Sequence, residues 1–242
     1  MALFPFSKKL NTNKSMGIEQ IDFSYQKELE RIHRIWELWS ATTVEKIDFL
    51  NFAIQVIGND IQYQHFAQLF YEQIANNLLV QKLIPIDRVA VARNIHKHFP
   101  LDNHLIFTIP YDLKKIRDAG RDIDREGYRP DQQDNVDGFY IQEFNAVFLV
   151  NGRHHIMAAR TKCTSCFAKS IEEYSLEDAF SNLSVSTYGR TWLFKDIYSK
   201  QESQVNVIDP RIALMYDLAK ERHLIQKTSL PTPGLPTGTT TM

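Results

Sequence analysis

Five consecutive residues, Asn151-Gly152-Arg153-His154-His155, bring together side chains that could do chemistry. They follow an apolar run typical of a buried strand and precede a run of helix-forming residues. The start of a helix offers backbone N–H groups and a partial positive charge, so it suits an anion. Gly152 lets the backbone approach closely or adopt a positive φ angle. Arg153 can clamp a phosphate through two hydrogen bonds, and His154 or His155 can carry a proton or donate hydrogen bonds to phosphate.

The same segment also fits a simpler interpretation, a tight Asn-Gly turn with basic residues on the surface. The elements around it are predicted in a fixed order. These are a strand over Phe139–Glu143, a turn at Asn145-Ala146, a strand over Val147–Val150 and a helix over Arg153–Thr161. Whichever interpretation holds, the segment lies where a strand turns into a helix.

The two cysteines, Cys163 and Cys166, are spaced as C-x-x-C. Without a signal peptide they are expected to be reduced. One such pair is half of a zinc site, and His154 or His155 would have to supply the other ligands. The simpler interpretation is a turn that carries two small residues. A redox role is disfavoured because the pair follows a predicted helix instead of opening one.

A second cationic group lies within twelve residues, and a strand is predicted directly after it at Leu105–Ile109. The group consists of Arg93, His96, Lys97, His98 and His104. It fits a solvated surface, a loop that faces phosphate, or nucleic-acid backbone contact. A three-histidine metal site lacks an acidic partner and a regular helical spacing, so we assign no metal ligands.

The chain has 242 residues, which corresponds to one large domain or two small ones. The hydrophobic fraction of 43% and the charged fraction of 24% are those of an ordinary globular protein. A net charge of −1 gives no global reason to expect nucleic-acid or membrane binding. The apolar runs are too short to span a bilayer and no secretory signal is visible, so we expect a cytoplasmic protein.

The hydrophobic spacing predicts an α+β fold in which a helical subdomain precedes a small mixed sheet with flanking helices. We divide the chain into a flexible arm (1–20), a helical subdomain (21–82), a sheet domain (83–190), C-terminal helices (191–227) and a disordered tail (228–242). In the helical subdomain, Thr42 and Glu45 have capping-box spacing, Gly58 is predicted to end that helix, and Asp60 is predicted to cap a third one.

Further elements are predicted along the rest of the chain. They are a turn or helix start at Leu83–Asp87, a charged helix over Tyr111–Glu126 interrupted near Gly120, a polar surface loop over Gly127–Gly138, a strand over Phe167–Ile171, a helix capped by Ser175, and helices over Trp192–Tyr198 and Pro210–Ile225.

This order of elements resembles the ParB/sulfiredoxin-like fold over about residues 83–190. The resemblance rests on the opening Leu83–Asp87, the charged helix, and the strand that runs into Gly152-Arg153-His154-His155 with Ala158-Ala159 behind it. It also extends to uncharacterised bacterial proteins with an Asn-Gly-x-His motif, matched here by Asn151, Gly152 and His154.

The resemblance implies binding of a nucleoside triphosphate or another phosphate-bearing ligand at this turn, with Mg²⁺ in some members. Asn151, Gly152 and Arg153 would bind the ligand, and His154 and His155 would be the catalytic candidates. In the family the second basic residue of this turn is commonly Arg, and here it is His155. Arg153 replaces the Glu of ParB and the catalytic Cys of sulfiredoxin. Of the downstream Glu-Asn-x-x-Arg element only Asn182 is kept. Because Arg153 stands where sulfiredoxin has its catalytic Cys, sulfinic-acid reduction is not expected.

Two function classes follow. The first is an enzyme of phosphoryl-transfer or nuclease type, which needs a carboxylate near Mg²⁺; Asp87 and Asp178 are the candidates. The second is a non-catalytic module in which residues 21–82 bind a protein or DNA and the segment Arg93–His104 contacts nucleic acid. A fold alone does not choose between them.

Overall fold

The computed structural model describes residues 24–39, 42–71, 83–108, 113–128, 136–162 and 165–229. Within these ranges the chain forms seven helices and eight strands. The helices are α1 (Tyr25–Trp39), α2 (Thr43–Tyr71), α3 (Ile86–Val89), α4 (Leu113–Glu126), α5 (Arg153–Thr161), α6 (Leu176–Ala179) and α7 (Pro210–Ser229). The strands are β1 (Asn94–Pro100), β2 (Leu105–Phe107), β3 (Asp137–Ile141), β4 (Ala146–Leu149), β5 (Phe167–Tyr174), β6 (Leu183–Val185), β7 (Thr191–Lys195) and β8 (Glu202–Asn206). The mixed α+β class predicted from the sequence is confirmed.

Five strands form a mixed sheet in the order β1-β5-β3-β4-β2. The central strand β3 is parallel to β5 and antiparallel to β4, and a single 3₁₀ turn over Gln142–Phe144 joins β3 to β4. The turn closes on Asn145, whose φ of 50° lies in the left-handed region. This hairpin sets the register in which the start of β3 lies beside the end of β4.

Alternating side chains of the sheet enter two separate cores, as the period of two in a strand requires. On one face, Phe107, Phe139 and Phe148 pack with residues of α2 and α7. On the other face, Val147 and Leu149 pack with residues of α4 and α5. The sheet therefore lies between two helical layers, and α5 is held against it by a buried run.

A second sheet, with the order β6-β7-β8, packs onto the first core. Its Trp192 is buried, and the indole N–H donates to the carbonyl of Leu83 at 3.1 Å. The helix predicted over Trp192–Tyr198 is therefore wrong. Trp192 and Phe194 are buried and Leu193 between them is exposed, which is the alternation of a strand. Residues 191–227 consequently hold two strands before the long helix α7.

Two glycines predicted to end or interrupt helices lie inside continuous ones. At Gly58 a Cβ atom would lie 2.3 Å from Leu105 Cδ1, so this glycine lets α2 approach β2 closely. At Gly120 a Cβ would lie 3.3 Å from Lys162 and 4.0 Å from Ala158, so α4 lies close against α5. Both predicted breaks, together with the separate third helix at Asp60, are wrong because interhelical or helix–sheet contact decides these positions.

Most other local predictions are confirmed within one to four residues. Thr42 and Glu45 form the capping box: the Glu45 carboxylate accepts from the Thr42 amide at 2.8 Å, and the Glu45 amide donates to Thr42 Oγ1 at 3.2 Å. Ser175 caps α6 by accepting from the Glu177 amide at 3.2 Å.

The arm 1–20 and the tail from residue 230 lie outside the described residues, whereas residues 228 and 229 belong to α7 and not to the tail.

Candidate functional site

The predicted corner forms where β4 ends and α5 begins. The backbone N–H groups of Val150 and Asn151 both donate to the carbonyl of Asp137, at 2.8 and 3.1 Å. The Asn151 side-chain amide lies 3.5 Å from the Asp137 carboxylate. The end of β4 is thus fixed to the first residue of β3, and an exposed Asn151 side chain sits beside a carboxylate.

Gly152 is required at this corner for two independent reasons. Its φ of 72° lies in the left-handed region, which L side chains rarely adopt. A Cβ atom would also lie 2.5 Å from Val136 Cγ2 and 2.9 Å from Val136 Cα. The backbone of the corner therefore packs directly on Val136, and the positive φ expected at Gly152 is confirmed.

Helix α5 begins at Arg153 with an electrostatic pattern opposite to that of a typical helix start. Its N-cap residue is Gly152, which has no side chain to accept from the first-turn amides, and its first turn contains no acidic residue. An arginine and two histidines come first instead. A cationic group such as the Arg153 guanidinium at a helix N-terminus costs about 0.3–1 kcal/mol against the helix dipole, whereas an anion there is stabilised.

The two histidines of the corner are not equivalent. The Nε2 atom of His154 is buried, so an external ligand cannot reach that atom. Arg153 and His155 are half-buried. From Ile156 onward the helix is anchored by four consecutive buried residues, ending at Ala159. The structure therefore brings all five predicted residues to one corner, with Arg153 and His155 better placed than the Nε2 atom of His154 to meet a ligand.

The carboxylate at the corner is Asp137, and sequence reasoning missed it. The polar loop predicted over Gly127–Gly138 includes this residue, whereas in the structure it is the first residue of β3. The signal that could have identified it is the hairpin itself, because an antiparallel partner strand must begin beside the end of β4. Lys169 also lies beside the corner, since its amide donates to the carbonyl of Val136 at 2.9 Å.

The carboxylates proposed from sequence, Asp87 and Asp178, lie elsewhere. Asp178 belongs to α6, which directly follows β5, and it accepts two hydrogen bonds from Arg93 at 2.8 and 3.0 Å. The end of β5 is paired with the end of β3, so the length of β3, about 13 Å, separates this region from the corner. Asp87 lies among Arg88, Glu172 and Asp196, and burial raises the pKa of its carboxyl. Neither residue is placed to serve the corner.

The cationic segment from 93 to 104 is divided between the edge strand β1 and the loop after it. Arg93 forms ion pairs with Asp178 at 2.8 Å and with Glu177 at 3.6 Å. The hydrogen bond to Asp178 raises the pKa of the Arg93 guanidinium. His96 pairs with the Glu173 carboxylate. This segment does not act as one basic patch, because acidic residues of β5 and α6 accompany it.

Cys166 is buried at the start of the β5 region, and its amide donates to the Asp102 carboxylate at 3.0 Å. Burial and the nearby Asp102 charge raise the pKa of the Cys166 thiol to about 11. Cys163 lies outside the described residues, so the predicted zinc half-site stays a prediction. Among the residues that the structure does describe, no group of three or more His, Cys, Asp or Glu side chains could hold a metal ion.

The protein is of the α+β class, with two helical layers around a mixed sheet. The corner Asn151–His155, at the end of the buried strand β4, is a candidate anion site. Comparison with known families places the protein more narrowly: residues 7–228 match the DUF6710 family, a family of unknown function, and the chain belongs to that family. No curated protein and no solved structure matches the chain. Within the described ranges, none of the helices is both long and apolar enough to cross a bilayer.

Proposed function

We propose that the corner Asn151–His155 binds a phosphate-bearing ligand, and that the ligand is a nucleotide. The observation that carries the proposal is the helix start at Arg153, where an arginine and two histidines follow Gly152 and the first turn contains no acidic residue. A phosphate at this position would meet first-turn N–H groups, the guanidinium of Arg153 and the helix dipole.

The packing of Gly152 on Val136 supports the same proposal. Because Val136 fills the side of Gly152 that would carry a Cβ, the backbone at the start of α5 is held in one position, and the side chains of Arg153 and His155 project from a fixed support. The backbone of Lys169 also contacts this end of the sheet through its hydrogen bond to the carbonyl of Val136.

The nucleotide part of the proposal comes from the resemblance to ParB/sulfiredoxin-like proteins, which share this strand–glycine–helix corner. A Mg²⁺ ion in such a complex would be held by the Asp137 carboxylate together with phosphate oxygens and water, the ligand set that Mg²⁺ commonly accepts. It would supply charge neutralisation on the phosphates. In any phosphoryl transfer, His155 or the Nδ1 atom of His154 would carry the proton, because the Nε2 atom of His154 is buried.

The alternative, a non-catalytic nucleic-acid module built on the segment Arg93–His104, has weaker support. Phosphate-backbone binding depends on cations that can replace counterions. Arg93 already meets Asp178 and Glu177. The structure gives this segment no excess of positive charge, so we favour the corner.

The test is a titration of the full chain with inorganic tripolyphosphate and with the four nucleoside triphosphates, each with Mg²⁺, followed by thermal shift and calorimetry. We expect Arg153→Ala to weaken binding about 10- to 100-fold, the usual effect of losing a hydrogen bond to a charged group. The matched control is Arg160→Ala, which removes an arginine from the last turn of the same helix. Lack of binding by any of these ligands, or an equal effect of the two variants, would contradict the proposal.

A further inference from the structure

A second cluster of chemically competent side chains lies at the opposite end of the central strands, away from the corner. We call it the His96 cluster; it consists of His96, Phe99, His104, Tyr140, Asn145 and Glu173. Phe99 and Tyr140 pack against the margin of the core formed with α4 and α5. All six residues are half-buried, so the cluster is part of the surface and part of the packed sheet.

Four rings form the apolar part of the cluster. The centroid of Phe99 lies 5.4 Å from that of His96, 5.0 Å from that of His104 and 5.3 Å from that of Tyr140. His104 meets Tyr140 edge-on at 5.2 Å. These separations are those of favourable aromatic pairs, and rings carried on strands give a surface on which a further planar ring can stack.

The hydrogen-bond partners fix how the two imidazoles are protonated when neutral. The Asn145 amide nitrogen donates to the carbonyl of Asn103 at 3.3 Å, so its oxygen faces the Nδ1 atom of His104 at 2.7 Å. His104 Nδ1 therefore carries the proton. His96 Nε2 faces the Glu173 carboxylate, which accepts only, so this nitrogen also carries the proton. Each neutral ring then presents its other nitrogen, Nε2 of His104 and Nδ1 of His96, as a hydrogen-bond acceptor.

The charge around the cluster disfavours an anionic group in direct contact with its rings. The Glu173 side chain is only 14% exposed, and Gln142 donates to it as well. Burial raises the pKa of the Tyr140 hydroxyl, and the carboxylates of Glu173 and Glu143 raise it further. A phosphate would meet these negative charges, whereas a neutral ring with N–H groups would meet aromatic faces and two acceptors.

We propose that the His96 cluster is a binding site for a nucleobase, which stacks on the Phe99–Tyr140 surface and donates N–H hydrogen bonds to the imidazoles of His96 and His104. A nucleobase is planar, uncharged and carries ring or exocyclic N–H donors, which is the chemistry that this surface recognises. The base can belong to a free nucleoside or nucleotide, or to a single-stranded nucleic acid. The site is independent of the phosphate corner, because it uses different residues and a ligand part that carries no charge.

The experiment titrates the full chain with free nucleosides and with a single-stranded oligonucleotide, and measures the ring-current shifts of the His96 and His104 imidazole signals by NMR. We expect both imidazoles to shift, and Tyr140→Ala to weaken binding about tenfold, since stacking on one aromatic side chain commonly contributes that much. The matched control is Tyr188→Ala, which removes a tyrosine that is 71% exposed in the turn before β7. Thermal unfolding of each variant checks that the fold is retained.

Uridine and 3-methyluridine test the hydrogen bonds, because methylation removes the ring N–H and leaves the stacking surface. We expect 3-methyluridine to bind about fivefold more weakly. Tighter, salt-dependent binding of the oligonucleotide would identify a strand as the source of the base, whereas equal affinity per base would identify a free nucleoside. Unchanged imidazole signals with every probe, or equal effects of the two tyrosine variants, would overturn the proposal. Nucleosides carry no phosphate, so this failure would leave the tripolyphosphate test of the corner unaffected.

Discussion

Replacing Gly152 by alanine tests whether the corner depends on both backbone conformation and close packing. A non-glycine residue in the left-handed region costs about 1–2 kcal/mol. The new Cβ would in addition lie 2.5 Å from Val136 Cγ2 and 2.9 Å from Val136 Cα, so the backbone or Val136 would have to move. Overpacking of this kind costs about 1–3 kcal/mol. The sum predicts that Gly152→Ala lowers the free energy of unfolding by about 2–5 kcal/mol.

Gly127→Ala is the matched control, because Gly127 has a φ of 75° and nothing lies within 4 Å of its Cβ position. This variant carries the conformational cost alone, about 1–2 kcal/mol. Urea unfolding of both variants, at equal m-values, gives the difference directly. We expect Gly152→Ala to be less stable than Gly127→Ala by at least about 1 kcal/mol. If the two variants were equally stable, the packing of the corner on Val136 would be refuted.

Two further predictions concern buried titratable groups. Amides of the Ser199 turn and the guanidinium of Arg88 lower the pKa of Asp196 to about 2, below the unfolded value near 3.9. The contribution of ionised Asp196 to the free energy of unfolding is therefore complete above about pH 4 and is lost as the pH falls toward 2. The difference in stability between the wild type and Asp196→Asn should shrink across that window. A difference that does not change with pH would contradict this. Since the pKa of Cys166 is raised to about 11, iodoacetamide at pH 8 should label this residue slowly in the native protein and rapidly in urea, as read by peptide mass spectrometry. Equal labelling rates in both states would show that the thiol is not protected.

The corner was predictable because its signals are local. An apolar run, an Asn-Gly pair and a helix-forming run specify strand, turn and helix without reference to the rest of the chain. The observed helix start at Arg153 and the positive φ of Gly152 agree with that prediction. The cap at Ser175 was likewise visible, since capping depends on residues two or three positions apart.

The strand β7 was not predicted because it forms only by pairing with neighbouring strands. Trp192 and Phe194 alternate with more exposed residues, as in a strand, but the partner strand β8 is short and mostly polar, so no local pattern indicated a sheet there. Gly58 misled in the opposite direction, because a glycine ends a helix or permits close approach, and only the position of Leu105 distinguishes the two.

The amino-acid sequence by itself determined the local elements, the basic glycine corner and the two alternating faces of the sheet strands, because these depend on periodicity and on conformational preferences of single residues. The exact register of the hairpin, which places Asp137 at the corner, and the neutralisation of basic residues at β1 were decided by the tertiary structure. Asp137 reaches Asn151 only through the register of a hairpin, and His96 reaches Glu173 only because β1 pairs with β5. Strand pairing joins residues distant in sequence, and no local pattern specifies it.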